Sequence, residues 1–305
     1  MKASIVIPTY KRSARLHALL QCLARQDGDA IAQVIVCDDG SPDDTREVAE
    51  AFADKLPLVY RFQEDLGFRA GQARNMGIAS ATGDVLIFVD DDVVVTRNFV
   101  LSHLAAHKNA SKAQVVIGFR HRTHDAGHEL PELGEIEKLE PDDRIAVLGM
   151  NGEKLPTHAT PWLYVYSCNF SVTRGAPELH FDENFVGWGL EDTDIGYRLH
   201  RAGVPIVCAP NARVLHIEDP APRDPFRCEE RALTPSYDTY VRNAVYFMDK
   251  HKDDAAVRDW VCNDLRWYVR DAVTGSFVKN GFANDVTSVI EHSRAMFREL
   301  QSESA

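Results

Sequence analysis

The sequence predicts an α/β protein with a mostly parallel sheet, helices on both faces of that sheet and a helical C-terminal extension. The first observation is that compact apolar runs alternate with stretches of helical length along the first part of the chain. The second is that each run is continuously apolar, which is typical of strands buried on both faces. The third is that residues beyond about 224 are mostly helical in character and rich in aromatic side chains.

The predicted elements follow one another regularly as far as residue 118. Apolar runs predict strands at 3–8, about 32–37, 57–62, 84–89 and 113–118. Helices are expected between them, at 13–26, from Ser41 onward, at 70–83 and from Phe99 onward. In the second helix, Ser41 is the expected N-cap and Pro42 the first helical residue. The third helix is rich in Ala and Gly, which allows a close approach to the sheet.

Beyond residue 118 the local signals are less regular. Residues 120–160 lack clear periodicity and predict a loop-rich insertion. Strand character returns at 161–173 and in two short runs, 205–209 and 212–219. Between these runs an amphipathic helix is expected to begin near Glu191, because apolar residues follow it at helical spacing.

Composition narrows the class of protein. The 305 residues are 45% hydrophobic and 26% charged, as in ordinary globular enzymes, and a net charge of −12 argues against nucleic acid or an anionic membrane as partner. The six cysteines are scattered without a C-x₂-C pair, which favours reduced thiols. No signal peptide and no run of about 20 apolar residues is recognised, so a soluble cytoplasmic protein is expected.

Polar residues stand directly after three of the predicted strands. Ligands of open parallel sheets bind beyond the carboxyl ends of the strands. The residues at these ends are Pro8, Thr9, Tyr10, Asp38, Asp39, Asp90, Asp91 and Asp92. None of the loops carries a glycine-rich phosphate-binding motif. A divalent cation is therefore the obvious partner for any bound phosphate.

Each of these groups has a functional and a structural interpretation. Asp90 and Asp92, two positions apart, could share a hard ion that stabilises a departing diphosphate, or could belong to a solvated acidic loop. Asp39 could accept hydrogen bonds from a base or a ribose, or could cap a turn. Arg74 could bring positive charge to a nucleotide, or could be a surface arginine on its helix.

The segment FVGWGLEDTDIGYRLHRAG, residues 185–203, raises the same question. Its carboxylates at the predicted helix start include Glu191 and Asp192, which the helix dipole would keep ionised. One of them could be a general base. The alternative is an ordinary acidic first turn beside a core tryptophan, Trp188.

Four segments in this order resemble family-2 glycosyltransferases of the GT-A fold. They are VIPTYKR, VIVCDDGSPDDT, GQARNMGIASATGDVLIFVDDDV and FDENFVGWGLEDTDIGYRLHRAG. The last also looks like the carboxy-terminal part of animal β-galactosyltransferases and polypeptide N-acetylgalactosaminyltransferases. The resemblance covers about residues 1–217. It implies a GT-A domain over 1–217, with a nucleotide-binding part at about 1–118 and an acceptor and catalytic part at about 160–217, followed by a helical extension at 218–305.

The resemblance also implies roles for individual residues. The expected donor site comprises Pro8, Thr9, Tyr10, Asp39, Arg74, Asp90 and Asp91. Within it, Thr9 and Tyr10 match contacts to the nucleobase, and Asp39 matches the acid that binds uracil. Asp90 and Asp92 match the D-x-D pair, in which the second acid ligates Mn²⁺ or Mg²⁺. Because the sequence has three successive aspartates, Asp91 could share this role.

The remaining implied residues lie later in the chain. His216 corresponds to a histidine that completes the metal site in relatives, and an imidazole ligand favours Mn²⁺. Asp192 corresponds to the catalytic base, with Glu191 contacting donor or acceptor. Trp188, Gly189 and Asn169 are expected to contact the sugar or the acceptor.

The resulting expectation is a metal-dependent, inverting transferase that moves a sugar from a UDP-sugar to a hydroxyl of a glycan, peptide or small molecule. The alternatives are a retaining transferase of the same fold, or a catalytically silent protein that binds nucleotide-sugars. A nucleotidyltransferase is less favoured, because the glycine-rich, basic first loop of such enzymes is absent. The aromatic C-terminal helices suggest core packing or a homodimer contact, with an acceptor platform or a lid as the alternative.

Overall fold

The computed structural model describes residues 1–123, 142–217 and 237–303, together with residues 136 and 139. The chain divides into two compact units. The first unit contains the described residues up to 182 and residues 192–217, and the second contains 183–191 and 237–303. The sequence-based boundary at 217 assigns 183–191 to the first domain, whereas the structure groups this segment with the C-terminal part.

An eight-stranded sheet forms the centre of the first unit. Its strands are β1 (Ala3–Thr9), β2 (Ile31–Asp38), β3 (Leu58–Phe62), β4 (Val85–Phe88), β5 (Val93–Val95), β6 (Val115–Thr123), β7 (Phe170–Thr173) and β8 (Ile206–Ile217). Their order across the sheet is β3-β2-β1-β4-β7-β6-β8-β5. The predicted α/β class is therefore confirmed.

Strands β1 to β4 form the parallel half of this sheet. β1 lies between β2 and β4, and every residue of β1 is buried. Thr9 is paired with Asp38, and Val6 with Phe88. Because all these strands run in the same direction, their carboxyl ends meet at one edge, where the polar residues of the sequence patterns lie.

The other half of the sheet is mixed. β7 is antiparallel to both β4 and β6, whereas β6 and β8 are parallel. Two details differ from the sequence prediction. The two short runs after residue 204 form the single strand β8, and residues Pro161–Tyr164 form a 3-10 turn instead of a strand. Proline lacks an N–H donor and fits the first turn of a helix better than a sheet ladder.

Six helices of the described residues accompany this sheet. They are α1 (Ser13–Leu23), α2 (Thr45–Glu50), α3 (Ala70–Ser80), α4 (Phe99–Lys108), α5 (Asp143–Leu148) and α6 (Glu191–Arg201), which begins on the last residue of the second unit. The small residues of α3 do permit a close approach, because a Cβ at Gly77 would lie 2.3 Å from Val6 of β1.

The predicted start of α2 is wrong. Ser41 is not its N-cap, since the helix begins at Thr45 and Asp44 precedes it. The Ser41 hydroxyl instead accepts a hydrogen bond from the Lys11 backbone N–H, and the Ser41 N–H donates to Asp38. The residues between Asp38 and Ser41 are thus held as a turn at the strand ends.

The second unit contains helices α7 (Asp238–Lys250), α8 (Ala255–Leu265) and α9 (Val286–Glu303). A hairpin of β9 (Tyr268–Arg270) and β10 (Phe277–Lys279), which the sequence did not predict, lies between the last two helices. Aromatic rings pack within the unit, including Tyr237 and Tyr240 on Tyr268. None of the helices in the described ranges is long and apolar enough to cross a membrane.

Two predicted features fall partly outside the described residues. The loop-rich insertion at 120–160 includes the undescribed residues between 123 and 142, and its described part contains α5 and a short 3-10 turn at Leu155–Thr157. The helical extension predicted from 218 includes residues 218–236, of which nothing is described.

Candidate active site

The three aspartates after β4, residues 90–92, form what we call the aspartate turn. β4 ends at Phe88, so these residues have left the strand and do not alternate between two faces. The three side chains consequently have different sets of partners, although Arg12 contacts both Asp91 and Asp92. The shared position expected for Asp90 and Asp92 therefore does not follow from strand geometry.

Asp91 is the most enclosed member of the aspartate turn. Its carboxylate accepts a hydrogen bond of 2.8 Å from the hydroxyl of Thr9, at the end of β1. The Arg12 guanidinium lies 3.3 Å from the other oxygen. Burial raises the pKa of Asp91, whereas the charge of Arg12 lowers it. The bond between Asp91 and Thr9 thus connects the aspartate turn to β1. Both oxygens of the Asp91 carboxylate contact groups of the protein.

Asp92 faces both an arginine and a histidine. Its Oδ2 accepts a 2.6 Å bond from Arg12, and its Oδ1 lies 3.5 Å from Nε2 of His216. The sheet creates this proximity, since β5 follows the turn and pairs Val93 with His216 of β8. Sequence reasoning singled out His216 but not Arg12, whose charge partly neutralises the acidic turn.

The donors beside Asp92 fit a divalent cation. Its Oδ1 is buried and makes no hydrogen bond among the described residues, which is costly for a carboxylate oxygen unless a cation approaches it. Two ligands of one ion, each about 2.1 Å from it, lie within about 4.2 Å of each other, as Asp92 Oδ1 and His216 Nε2 do. In the part of the chain that the structure describes, no cluster of three or more His, Cys, Asp or Glu side chains is arranged to hold a metal.

Asp90 connects the aspartate turn to α3. Its Oδ1 accepts a 2.7 Å bond from Nη2 of Arg74, a side chain that is almost fully buried. The same Nη2 donates to the hydroxyl of Ser167 at 2.8 Å. Arg74 is therefore a buried arginine, not a surface one, and its guanidinium bonds to two groups of the protein. It links Asp90 to the chain just before β7.

Asp192 completes this linked group at the start of α6. Its Oδ2 accepts a 3.1 Å bond from the Ser167 backbone N–H, and its Oδ1 accepts from the Thr193 N–H at 2.7 Å. Ser167 thus binds Arg74 through its hydroxyl and Asp192 through its backbone. No sequence motif distinguishes Ser167, so this residue was missed; only its hydrogen bonds to Arg74 and Asp192 reveal it.

The environment of Asp192 affects its protonation in both directions. Burial raises the pKa of Asp192, while the Ser167 and Thr193 N–H groups and the charge of Arg74 lower it, and the net pKa is raised. The helix dipole, which is the effect expected from the sequence, favours the anion. A raised pKa makes a carboxylate a stronger proton acceptor, provided that it is ionised at the working pH.

The first two strand ends carry a separate polar group. Asp39 is buried and accepts hydrogen bonds from the Gln63 side chain at 2.5 Å and the Arg69 N–H at 2.8 Å. Tyr10 donates to Asp65 at 2.7 Å. By contrast, Asp38 is occupied by Tyr60 and a turn N–H. Asp38 and Asp39 therefore have different hydrogen-bond partners. Gln63 is an additional residue of this group that the sequence did not suggest. Pro8 lies buried within β1.

Asn169 does not belong to this group. Its side chain is fully buried, donates to the carbonyls of Phe119 and Ala212 at 2.9 Å, and lies 2.9 Å from Nε2 of His103. Every polar atom of the amide is thus used inside the sheet. The expected contact of Asn169 with the sugar is not supported, because the side chain has no accessible surface.

Trp188, Gly189 and Glu191 belong to the second unit. There the Trp188 ring is 40% exposed and lies 5.2 Å from that of Tyr240, with an interplanar angle of 37°. Glu191, the first residue of α6, is buried. Three residues further on, Asp194 is fully buried and bonded to Arg198 at 2.7 Å, which makes it a structural carboxylate.

The fold and the acidic strand ends define an α/β domain of the GT-A type. The family model described as "Glycosyl transferase family 2" matches residues 4–163, just over half of the 305 residues. The chain belongs to glycosyl transferase family 2.

Several curated proteins are similar in sequence. Validoxylamine A glucosyltransferase of Streptomyces hygroscopicus subsp. limoneus is 38% identical over 223 residues, covering 67% of this chain and 49% of that protein. The uncharacterized glycosyltransferase YfnE of Bacillus subtilis is 30% identical over 292 residues, covering 83% and 71%. Chondroitin synthase of Escherichia coli is 29% identical over 242 residues, covering 71% and 35%. The chain thus spans about half the length of the validoxylamine relatives.

Solved structures share the fold at low sequence identity. S. aureus TarS 1–349 in complex with UDP-GlcNAc superposes with a TM-score of 0.57 at 19% identity, covering 87% of this chain and 72% of that one. Mannosyltransferase PcManGT from Pyrobaculum calidifontis, in complex with GDP-Man and Mn²⁺, gives 0.60 at 13% identity, covering 99% and 75%. At such identities the likeness establishes the fold alone.

Proposed function

We propose that this chain transfers a sugar from a nucleotide-diphospho-sugar to an acceptor hydroxyl in one inverting step that depends on Mn²⁺ or Mg²⁺. The observation that carries the proposal is the continuous set of hydrogen bonds from Asp90 through Arg74 and Ser167 to Asp192. It holds a carboxylate with a raised pKa in a fixed relation to the acidic turn that follows β4. Such a pair suits proton removal on one side of a sugar and departure of a diphosphate on the other.

Asp192 is the proposed general base. Its Oδ atoms are held by two backbone N–H groups, so the carboxylate has a defined orientation before an acceptor arrives. The acceptor hydroxyl gives its proton to Asp192 as its oxygen bonds to the anomeric carbon. The bond from that carbon to the diphosphate oxygen breaks in the same step, and the electron pair leaves with the nucleotide.

Asp92 and His216 are the residues that would hold the divalent ion. Bound there, such an ion supplies Lewis-acid stabilisation of the departing diphosphate. Arg12, which already bonds to Asp92, adds a fixed positive charge at the same place. Asp90 keeps Arg74 close to this group, so two guanidinium groups accompany the acidic turn.

Asp39, with Tyr10 and Gln63 near the ends of β1 and β3, is the proposed nucleobase site. The buried Asp39 carboxylate can accept a hydrogen bond from a base N–H, and the neighbouring Gln63 amide can pair with a carbonyl group. A UDP-sugar is the proposed donor, and a hexose or N-acetylhexosamine the proposed sugar. The names of the relatives support the choice of sugar, since they include a glucosyltransferase and a chondroitin synthase.

The test of the base is the variant Asp192→Asn. Transfer should fall about 10²-fold or more, because the amide cannot accept the proton. Binding of UDP with Mn²⁺, measured by calorimetry, should remain within about 2-fold of wild type, since the nucleotide residues are untouched.

Asp194→Asn is the matched control for this experiment. It removes a carboxylate from the same helix, one that is fully buried and bonded to Arg198. We expect a lower melting temperature and nearly unchanged transfer. If Asp192→Asn transfers sugar at close to the wild-type rate, Asp192 is not the base.

The stereochemical outcome is tested separately. Proton NMR of the first product formed from an α-linked UDP-sugar should show a β-linked product, as required for one displacement. An α-linked product would replace the inverting mechanism by a retaining one. Absence of transfer and of donor hydrolysis over a broad acceptor panel, with UDP still bound, would favour a silent nucleotide-sugar-binding protein.

A further inference from the structure

The residues that precede Asp192, 183–191, form what we call the tryptophan segment. Before Glu191 this segment has no regular secondary structure, so its backbone carbonyls need partners other than a helix or sheet ladder. Helix α7 of the same unit supplies them. This helix lies well beyond residue 163, where the match to the glycosyltransferase family model ends.

Asn243 is the central residue of this contact. Its side chain is 0% exposed, and its Nδ2 lies 2.9 Å from the carbonyl oxygen of Gly189, 3.3 Å from that of Trp188 and 3.4 Å from that of Val186. One buried amide nitrogen is therefore within hydrogen-bond distance of three carbonyls of the tryptophan segment. The buried amide of Asn243 would be left unsatisfied without these carbonyls, so the bonds favour one backbone shape.

Arg242 defines the orientation of this amide. Its Nη2 donates to Oδ1 of Asn243 at 2.8 Å and to the Val186 carbonyl at the same distance. Because a guanidinium only donates, Oδ1 must face Arg242 and Nδ2 must face the segment. Arg242 and Asn243 thus bind the tryptophan segment together, and we call this pair of residues the bracket.

The segment also approaches α7 too closely for side chains at its two glycines. A Cβ on Gly189 would lie 2.8 Å from the Tyr240 ring, and a Cβ on Gly187 would lie 2.6 Å from Thr239. Both glycines have positive φ values, 75° at Gly187 and 103° at Gly189, where other residues are strained. The Gly-Trp-Gly pattern thus matches the surface of α7, and the Trp188 ring rests against Tyr240.

We propose that Asn243 is a positioning residue that sets the backbone of the tryptophan segment and, through chain continuity, the start of α6 at Asp192. This proposal rests on the proposed function, in which Asp192 is the base. The predicted consequence is selective: loss of the bracket slows turnover but leaves nucleotide binding intact, because Asn243 is in the second unit and the nucleotide residues are in the first.

The experiment uses the full chain with Asn243→Asp, an isosteric change that replaces the Nδ2 donor by an acceptor facing three carbonyls. Hydrogen exchange followed by mass spectrometry should show at least about 10-fold faster exchange for peptides covering 185–191. We expect kcat to fall about 10-fold or more, as for other small misplacements of a reacting group, with the affinity for UDP and Mn²⁺ within 2-fold of wild type.

Val245→Ala is the matched control, since Val245 is buried in the same helix and offers no side-chain hydrogen bond. It should lower the melting temperature without accelerating exchange at 185–191. Gly189→Ala provides a second route if Asn243→Asp folds poorly, and we expect it to reproduce the loss of kcat with UDP binding retained.

The outcomes separate this proposal from the proposed function. Unchanged exchange at 185–191 in Asn243→Asp or Gly189→Ala overturns the positioning role, whatever the activity. A loss of kcat that Val245→Ala reproduces also overturns it, because general destabilisation then suffices. If the wild-type chain transfers no sugar, the proposed function fails, and the exchange pattern alone decides whether Asn243 holds the segment.

Discussion

The aspartate turn and the tryptophan segment are both irregular stretches with candidate functional residues, but they are held by different kinds of interaction. The aspartate turn is held through its side chains, because Arg12 and Arg74 neutralise Asp92 and Asp90. The tryptophan segment is held through its backbone, because Asn243 and Arg242 bind its carbonyls. The first arrangement depends on charge and the second on hydrogen-bond geometry.

This difference has a physical consequence. Charge compensation is exchangeable, since a metal ion can take over part of the role of an arginine beside the same carboxylate. Backbone carbonyls held by a buried amide have no such substitute. We therefore expect the aspartate turn to respond to metal and nucleotide, and the tryptophan segment to keep its shape in their absence.

Asp92→Asn is the variant of the aspartate turn for which we expect the largest effect. We expect transfer to fall about 10³-fold, because Lewis-acid stabilisation of a leaving group contributes several kcal/mol. The Mn²⁺ dependence of UDP binding should also disappear in calorimetry. Asp84→Asn, at the opposite end of β4, is the control and should behave like wild type. Full Mn²⁺ dependence in Asp92→Asn would contradict the assignment.

A smaller effect is expected for His216→Ala. Loss of one imidazole should weaken Mn²⁺-dependent UDP binding about 10-fold or more, while UDP binding without metal changes little. His251→Ala, in the second unit, serves as the control. If the Mn²⁺ affinity of His216→Ala equals that of wild type, His216 is not a ligand, and its contact with Asp92 is only structural.

The smallest effect concerns the pH dependence of Asp192, the residue that directly follows the tryptophan segment in the chain. Asp192 must be ionised to accept a proton, so its raised pKa predicts that kcat falls as the pH decreases through that value. The acidic limb of kcat, measured with saturating donor and Mn²⁺, should lie above about 3.9, the ordinary pKa of an aspartate. The charge of Arg74 lowers the pKa of Asp192 and that of Asp90 raises it, so the measurement uses a chain in which neither residue is substituted. A limb at or below the ordinary aspartate value would show that burial does not govern Asp192.

Much of the first unit could be predicted from local sequence. Strands β1 and β4 are mainly apolar runs in which every residue is buried, as burial on both faces of a parallel sheet requires. The rest depended on long-range contacts. β5 is three residues long and exists because it pairs with β8, while the β9–β10 hairpin has no strong turn signal of the Asn-Gly type.

The candidate site shows the same division. Asp39, Asp90, Asp92, Asp192 and His216 were identified because polar residues directly after strands or at a helix start have a recognisable place in a motif. Arg12, Gln63 and Ser167 were not, since each acts through a partner far away in the chain. Asn169 was wrongly attached to the site because a strand-flanking amide can equally well satisfy buried carbonyls.

By itself, the sequence determined the α/β class, the polar edge of the sheet and the family to which the chain belongs. Those properties follow from hydrophobic periodicity and from short motifs, which are local. Only the tertiary structure decided that Arg74 and Ser167 connect Asp90 to Asp192, and that Asn243 brackets the Gly-Trp-Gly backbone. Hydrogen bonds between groups 16 to 93 residues apart leave no periodic trace in the chain, because their partners meet only after the elements that carry them have packed.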